Sequence, residues 1–510
     1  MAVKKRKTIS KFGFLLSVIG ATVGLGGIWG FPTQMYLHRG AFFIPFIICM
    51  VICAIPVLFL EMTIGNKSRK NHIEFFTENA GKKGALFGWL QSTTVLVLSS
   101  YYSVLIGWTL INIVIAFTSS LNHQDFFYHN ILNISNDNPT SFSALGNLNW
   151  KVLVAVLVVW AILIVILIGG VDKGINKVNQ VFIPSLFIMI LFLVIYTSTL
   201  KGAGKGLSVM LEFKPKELLN PTLWKDAFGQ AFFMLSTGTG TIYIYSAHAP
   251  KHQDNTNHAF VVGIGTSLVG FLTAMIVFSA IGNIANVQGK AFDDVFGSGG
   301  PALIFQVFPQ LFAIINQSVP IFGNVVAVIF FLTLAFAGIS SLIGQVESMV
   351  NGLEYEVKMS RFKALLFSSL FAMILSILFT FNNSPALISA VGTWIAQMWL
   401  LIFGLILLIG IGPLGWKLFP SLKKFNDQHS WIKWNKFYSL LILLVAPLIV
   451  LANIGAGVYD VVKGIEANAF TNGLIGLIVG IVIPLLLALG WVFHKEIARF
   501  FGKKQKVEAK

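Results

Sequence analysis

Charged residues are scarce in this 510-residue chain. They make up 11% of it while hydrophobic residues make up 56%, against about 25% charged residues in an ordinary soluble domain. That composition excludes a water-soluble globular protein. Cysteine is almost missing. Cys49 and Cys53 stand four positions apart, one helix turn, so packing is expected rather than a disulfide. The Gly-x-Gly pairs neither follow a strand nor open a βαβ unit, so no nucleotide loop is present. No His-Glu-x-x-His, paired-cysteine or Ser-His-Asp grouping points to an enzyme.

What the chain has instead is a series of apolar runs, each long enough to cross a hydrocarbon layer about 30 Å thick. The expected spans are residues 12–36, 41–64, 86–117, 150–170, 178–200, 224–248, 257–285, 320–352, 361–381, 385–415, 434–456 and 471–496. The first contains Pro32 and lacks a small-residue cleavage site, so it reads as a retained helix and not a signal peptide. The predicted fold class is an all-α integral membrane protein with about twelve transmembrane helices. Its divisions are an amino-terminal cytoplasmic segment 1–11, helices 1–5 over 12–200, an external loop 201–223, helices 6–10 over 224–415, helices 11 and 12 over 416–496, and a cytoplasmic tail 497–510.

A net charge of +16 would suggest a nucleic-acid partner in a soluble protein, but here the lysines gather in alternate loops, which is a topology signal. The expected partners are the lipid bilayer and a small-molecule substrate, not nucleic acid; oligomeric state is left open. Lys4, Lys5, Arg6 and Lys7, the 65–85 loop, the 416–436 loop and the tail from Lys495 are basic. They fall on one side of twelve crossings, while Asp125, Asp293 and Asp460 fall on the other. Both termini are therefore expected to be cytoplasmic, in a multi-pass plasma-membrane protein. The 201–225 loop, with Lys201, Lys205, Lys214, Lys216 and Lys225, goes against this pattern. Asn133-Ile134-Ser135 fits a glycosylation acceptor in an external loop.

Two spans are interrupted near their middle, the first by Gly24-Leu25-Gly26-Gly27 and the sixth by Ser236-Thr237-Gly238-Thr239-Gly240. Glycine clusters weaken a helix and free backbone groups to face a cavity. The breaks open successive five-helix blocks, a spacing that fits a five-plus-five inverted repeat with broken helices 1 and 6. Such paired interruptions point to a transporter's binding site.

The chain resembles the neurotransmitter:sodium symporter family, especially its bacterial amino-acid transporters. The likeness is carried by Gly20-Ala21-Thr22-Val23-Gly24-Leu25-Gly26 with Phe31-Pro32, Glu61 with Gly65, Tyr101-Tyr102 with Trp108, Lys173-Gly174-Ile175, Gly229-Gln230-Ala231-Phe232-Phe233 with Leu235-Ser236, and Ala337-Gly338-Ile339-Ser340-Ser341. It implies sodium as the coupled ion, held by carbonyls of Gly20, Val23 and Ala337 and hydroxyls of Ser340 and Ser341. The last three stand at i, i+3 and i+4, one helix face, although serines so placed also bond carbonyls of their own helix. The resemblance further implies a substrate carboxylate on the Leu25 and Gly26 amides and the Tyr102 hydroxyl. An ammonium would meet the carbonyls of Thr22, Phe233 and Ser236, and Leu98, Tyr102, Phe233, Thr239, Ser341 and Gln345 would line the side-chain pocket. Gly24 replaces the aspartate of amine-transporting relatives and favours a ligand that brings its own carboxylate. Gln345 suggests a polar group on the ligand, or else a bond to a neighbouring helix. Glu61 is implied to brace the broken backbone of helix 6, and Glu347 and His248 form a candidate inner gate or proton-responsive pair.

Departures from the family pattern are equally specific. Gly27, Met234 and Thr266 replace the side chains of its second sodium site, so coupling to one sodium ion is expected; a thioether and a glycine cannot stand in for hard oxygen ligands. Gly30 and Ser389 replace the outer ion pair. Phe46 and Gly270 stand where a chloride site would need a tyrosine and a serine. The leading expectation is sodium-coupled import of an amino acid or similar zwitterion by alternating access, the alternatives being a transporter-like sensor or an ion-conducting channel.

Overall fold

A computed structural model describes residues 8–118, 126–134, 146–295, 301–466 and 475–494. The basic cluster Lys4 to Lys7, Asp125, Ser135 of the acceptor triplet and the 497–510 tail lie outside the described residues. Among the described residues there is no strand, only an isolated bridge between Leu148 and Phe381. The chain is an all-α membrane fold with a five-plus-five inverted repeat followed by two more helices. Helix 1 consists of Lys11–Thr22 and residues 26–38, helix 2 of residues 43–68, helix 3 lies in His72–Ala116, helix 4 is Trp150–Ile168 and helix 5 spans 171–198. Helix 6 consists of Pro221–Met234 and Thr241–His248; helix 7 is Asn255–Gln288, helix 8 Phe322–Tyr355, helix 9 Arg361–Ile377 and helix 10 residues 384–411. Helices 11 and 12 follow at 436–466 and 475–492.

Burial sorts these helices by role. The most apolar window of helix 3 is 89% buried and that of helix 8 is 78%, whereas helices 5 and 12 bury 33% and 28%. With no hydrophobic drive to hide apolar side chains from lipid, the outer helices leave Val165, Ile195, Ile264 and Ile374 exposed. Polar side chains collect at the centre, where Ser99, Ser340, Ser341, Thr237 and Gln345 are buried.

The loops hold more helix than expected. Within 65–85, residues from His72 are helical because Asn71 and Glu74 form a reciprocal capping box, and Gly81 (φ +57°) then turns the chain into helix 3. Helix 6 begins at Pro221, with Asn220 capping its first turn. The short helices Ala203–Met210 and Phe419–His429 occupy the 201–223 and 416–436 loops. Several spans expected to be plain α-helix contain wide π turns, at Met50–Ala54, Ile395–Trp399 and Leu441–Val445. Cys49 and Cys53 are both free and buried.

Helices 1 and 6 are unwound near their middles. In helix 1 the chain leaves helical geometry at Val23 (φ −82°, ψ 74°) and resumes at Gly26. In helix 6 Ser236, Gly238 and Gly240 have φ of +50°, +79° and +80°. Glycine meets the left-handed conformation without the cost a Cβ imposes. At Gly240 a Cβ would also stand 2.5 Å from His72 Cε1.

Candidate functional site

The two breaks face each other, and side chains tie them together. Ser236 Oγ, on the unwound part of helix 6, donates to Ala21 O at 2.7 Å. Ser341 Oγ, on helix 8, donates to Gly20 O at 3.2 Å and Ala21 O at 3.1 Å. Gly238 N donates to Glu61 Oε1 at 2.9 Å, so a carboxylate from helix 2 satisfies an amide freed by the break. Glu61 is buried, and its other oxygen has no partner among the described residues.

Between the breaks lies a small cavity whose free space, about 10 Å³, is room for about one water molecule. Every expected substrate-binding residue except Leu25 lines it: Thr22, Gly26, Leu98, Tyr102, Phe233, Ser236, Thr239, Ser341 and Gln345, with Gly24 in addition. Leu25 is one bond away, its amide donating to the Tyr102 hydroxyl oxygen at 2.7 Å. The phenol keeps one hydrogen to donate toward the cavity. Thr239 Oγ1 donates to Ser236 O at 2.7 Å, occupying one acceptor position of that carbonyl. Gln345 Oε1 lies 3.3 Å from Ser99 Oγ on helix 3, whose single hydrogen also reaches Val95 O at 2.8 Å.

Gly24 has a steric role that its sequence position did not disclose. A Cβ there would stand 2.3 Å from Ser341 Oγ and 2.5 Å from Tyr102 Oη. Any side chain, charged or not, would collide with the pocket wall.

The expected sodium ligands converge in part. The carbonyls of Gly20 and Ala21 meet the Ser341 hydroxyl, and Val23, outside helical geometry, releases its carbonyl from the ladder. Ser340 Oγ donates to Ala337 O at 2.9 Å within helix 8, a bond that uses its hydrogen and leaves its lone pairs for a cation. The donor set is entirely neutral oxygen, which suits a monovalent cation. No group of three or more His, Cys, Asp or Glu able to hold a metal exists among the described residues. At the position of the second site, Thr266 Oγ1 lies 3.0 Å from Thr22 Oγ1 and Thr273 Oγ1 donates to Gly27 O at 3.1 Å. The Met234 methyl would be 3.7 Å from a Cβ on Gly27. One hydroxyl pair, a hydroxyl bonded to a carbonyl and a thioether methyl thus stand at that place.

Glu347 and His248 do not pair with each other. Glu347 is fully buried and takes a bidentate contact from Arg361, Nη1 to Oε1 at 2.9 Å and Nη2 to Oε2 at 2.8 Å. Arg361 also reaches Glu354 at 3.4 Å and Leu167 O at 3.2 Å. His248 Nδ1 lies 2.9 Å from Ile244 O. The carboxylate is therefore engaged where helices 8, 9 and 4 meet. A lone arginine opening an apolar segment was the sequence signal for this partner.

At the outer end, the space left by Gly30 is filled by Gln230, whose Oε1 would be 2.8 Å from a Cβ there and whose Nε2 donates to Gly26 O at 2.7 Å. Farther out, His38 Nε2 meets Asp226 Oδ2 at 3.0 Å with both side chains nearly buried. This pair joins the outer halves of helices 1 and 6. Neither residue was singled out in the sequence.

The chain matches the model of the sodium:neurotransmitter symporter family over residues 5–125 and 122–498. It is 31% identical over 496 residues to an uncharacterized sodium-dependent transporter of Methanocaldococcus jannaschii, covering 95% of this chain and 96% of that protein. It is 28% identical to the rat sodium- and chloride-dependent GABA transporter 2, over 69% of this chain and 62% of that protein. Among solved structures, MhsT in complex with L-phenylalanine superimposes with a TM-score of 0.76 at 25% identity, covering 89% of this chain and 99% of MhsT. The protein belongs to the sodium:neurotransmitter symporter family and is a sodium-coupled, multi-pass membrane transporter.

Proposed function

We propose that the protein imports an α-amino acid together with one sodium ion by alternating access across the plasma membrane, with both termini cytoplasmic. The observation that carries this reading is the small polar cavity between two unwound helices, where Gly24, Gly26, Ser236 and the Tyr102 hydroxyl gather and whose walls must part to admit a small zwitterion. Half-helix amino ends attract a carboxylate and freed carbonyls attract an ammonium. Thr22, Phe233 and Ser236 supply the carbonyls, and Gly26 begins the outer half of helix 1. Sodium bound by Gly20, Val23, Ala337, Ser340 and Ser341 would draw helix 1 onto helix 8 and favour the state in which those oxygens converge. The amino acid bound to MhsT supports the substrate class.

The test is uptake by the purified full chain in liposomes under an inward sodium gradient, against a panel of α-amino acids and their decarboxylated amines. Sodium-driven accumulation of an amino acid at a flux ratio near one is expected. Preference for amines would overturn the zwitterion reading, and a ratio near two would overturn the single site. Sodium-dependent binding without transport would favour a sensor.

A further inference from the structure

On the face carrying the 65–85 and 416–436 loops, the helix Phe419–His429 and the start of helix 11 border an open groove of about 660 Å³. Its mouth carries Lys423, Asn435, Lys436 and Ser439; its wall is Leu440, Leu443 and Leu444. The leucines stand at i, i+3 and i+4, on one face of helix 11, and Leu440 and Leu444 are about half exposed.

Charge at the mouth is unbalanced. Lys423 Nζ donates to Asp427 and to Trp434 O. Lys436 is exposed, and its ammonium has no hydrogen-bond or ion-pair partner among the described residues. Asp427 is the one acidic residue between 417 and 436, against Lys417, Lys423, Lys424, Lys433 and Lys436. From Lys436 to Leu444 the helix advances roughly 12 Å, within one leaflet of a hydrocarbon core about 30 Å thick. A cationic mouth leading to an aliphatic wall of that depth matches a molecule with an anionic head and a hydrocarbon tail. A soluble anion has nothing to place on the leucines, and a zwitterionic lipid, though it offers a phosphate, also brings a quaternary ammonium to a mouth already rich in lysine.

We propose that this groove is a binding site for an anionic phospholipid, its phosphate on Lys436 and Asn435 beside Lys423 and an acyl chain along Leu440, Leu443 and Leu444. The lipid would tie helix 11 to the 419–429 helix, which is also held to the end of helix 2 by Lys67 Nζ donating to Ser421 Oγ at 2.8 Å.

Native mass spectrometry of the purified full chain tests this, with phosphatidylglycerol, phosphatidylcholine of the same acyl chains, and glycerol phosphate as probes. Wild type is expected to retain phosphatidylglycerol over phosphatidylcholine and not to bind glycerol phosphate. Lys436→Gln, which breaks no protein contact, is expected to weaken phosphatidylglycerol binding about fivefold, the effect of one interfacial lysine. Leu443→Gln should weaken it as well, while Lys424→Gln, which removes the same charge outside the groove, should leave it unchanged. Equal retention of the two lipids, indifference to Lys436→Gln or to Leu443→Gln, or an equal loss in Lys424→Gln would overturn the proposal. Binding of glycerol phosphate alone would overturn it too, since the tail would then play no part.

Discussion

Removing Arg361 should do more damage than removing both members of its ion pair. Glu347 is fully buried, and the Arg361 guanidinium covers both of its oxygens at 2.9 and 2.8 Å, with Asn351 Nδ2 adding a 3.3 Å contact. Arg361→Met strands a carboxylate where water cannot reach it. The cost of breaking a buried pair from one side is about 3–5 kcal/mol. Replacing both members by apolar residues of similar volume, as in Glu347→Met with Arg361→Met, removes the charge along with its partner at the loss of the 3.4 Å contact to Glu354, and such replacements are often close to neutral. Membrane proteins commonly unfold irreversibly, so the comparison belongs to relative thermal inactivation in one detergent and not to an absolute free energy. The expected order is wild type near the double variant, with Arg361→Met well below both. If Arg361→Met is as stable as the double variant, the pair does not hold helices 8 and 9 as described. Sodium-driven uptake separates a staple from a gate: a staple predicts that the double variant still transports, whereas a gate bridging the inner pathway predicts that it leaks or stalls.

Ser341→Ala should abolish sodium-stimulated substrate binding, whereas Thr266→Ala should leave the sodium dependence largely intact; equal losses in both would refute the single-site assignment. Gly24→Ala is expected to lower substrate affinity through overpacking of about 1–3 kcal/mol against Ser341 and Tyr102, measured by thermal shift with ligand. If alanine is tolerated there and only aspartate is not, charge and not space governs the position. Tyr102→Phe should weaken amino-acid binding severely, since it removes the remaining phenolic donor and also orphans the Leu25 amide; unchanged affinity would exclude the proposed carboxylate pose. His38→Phe and Asp226→Asn should each speed substrate release to the outside roughly tenfold, the equivalent of about 1.5 kcal/mol for a charged hydrogen bond. Their combination should add little, and additive effects in the double variant would mean that the pair does not act as a unit.

Helix number and the two breaks were legible because both depend on local sequence: about twenty apolar residues must be helical in lipid to satisfy their backbone, and glycine clusters weaken that helix, although Gly263 and Gly265 leave helix 7 continuous. The capped helix at His72 was also encoded locally, by Asn71 and Glu74, yet hydrophobicity alone reads that stretch as a loop. Pocket composition followed from motif positions on helices 1, 3, 6 and 8. Which polar groups are already spent could not be read the same way, because Ser99 with Gln345, Thr239 with Ser236, and Leu25 with Tyr102 meet only when helices pack. The partner of Glu347 shows the division most clearly. Burial of a carboxylate demands a cation or hydrogen-bond donors, and an apolar helix announces that demand. Whether His248 or Arg361 answers it depends on how helix 9 lies against helix 8, a matter of angstroms and direction that a linear spacing of fourteen residues does not contain.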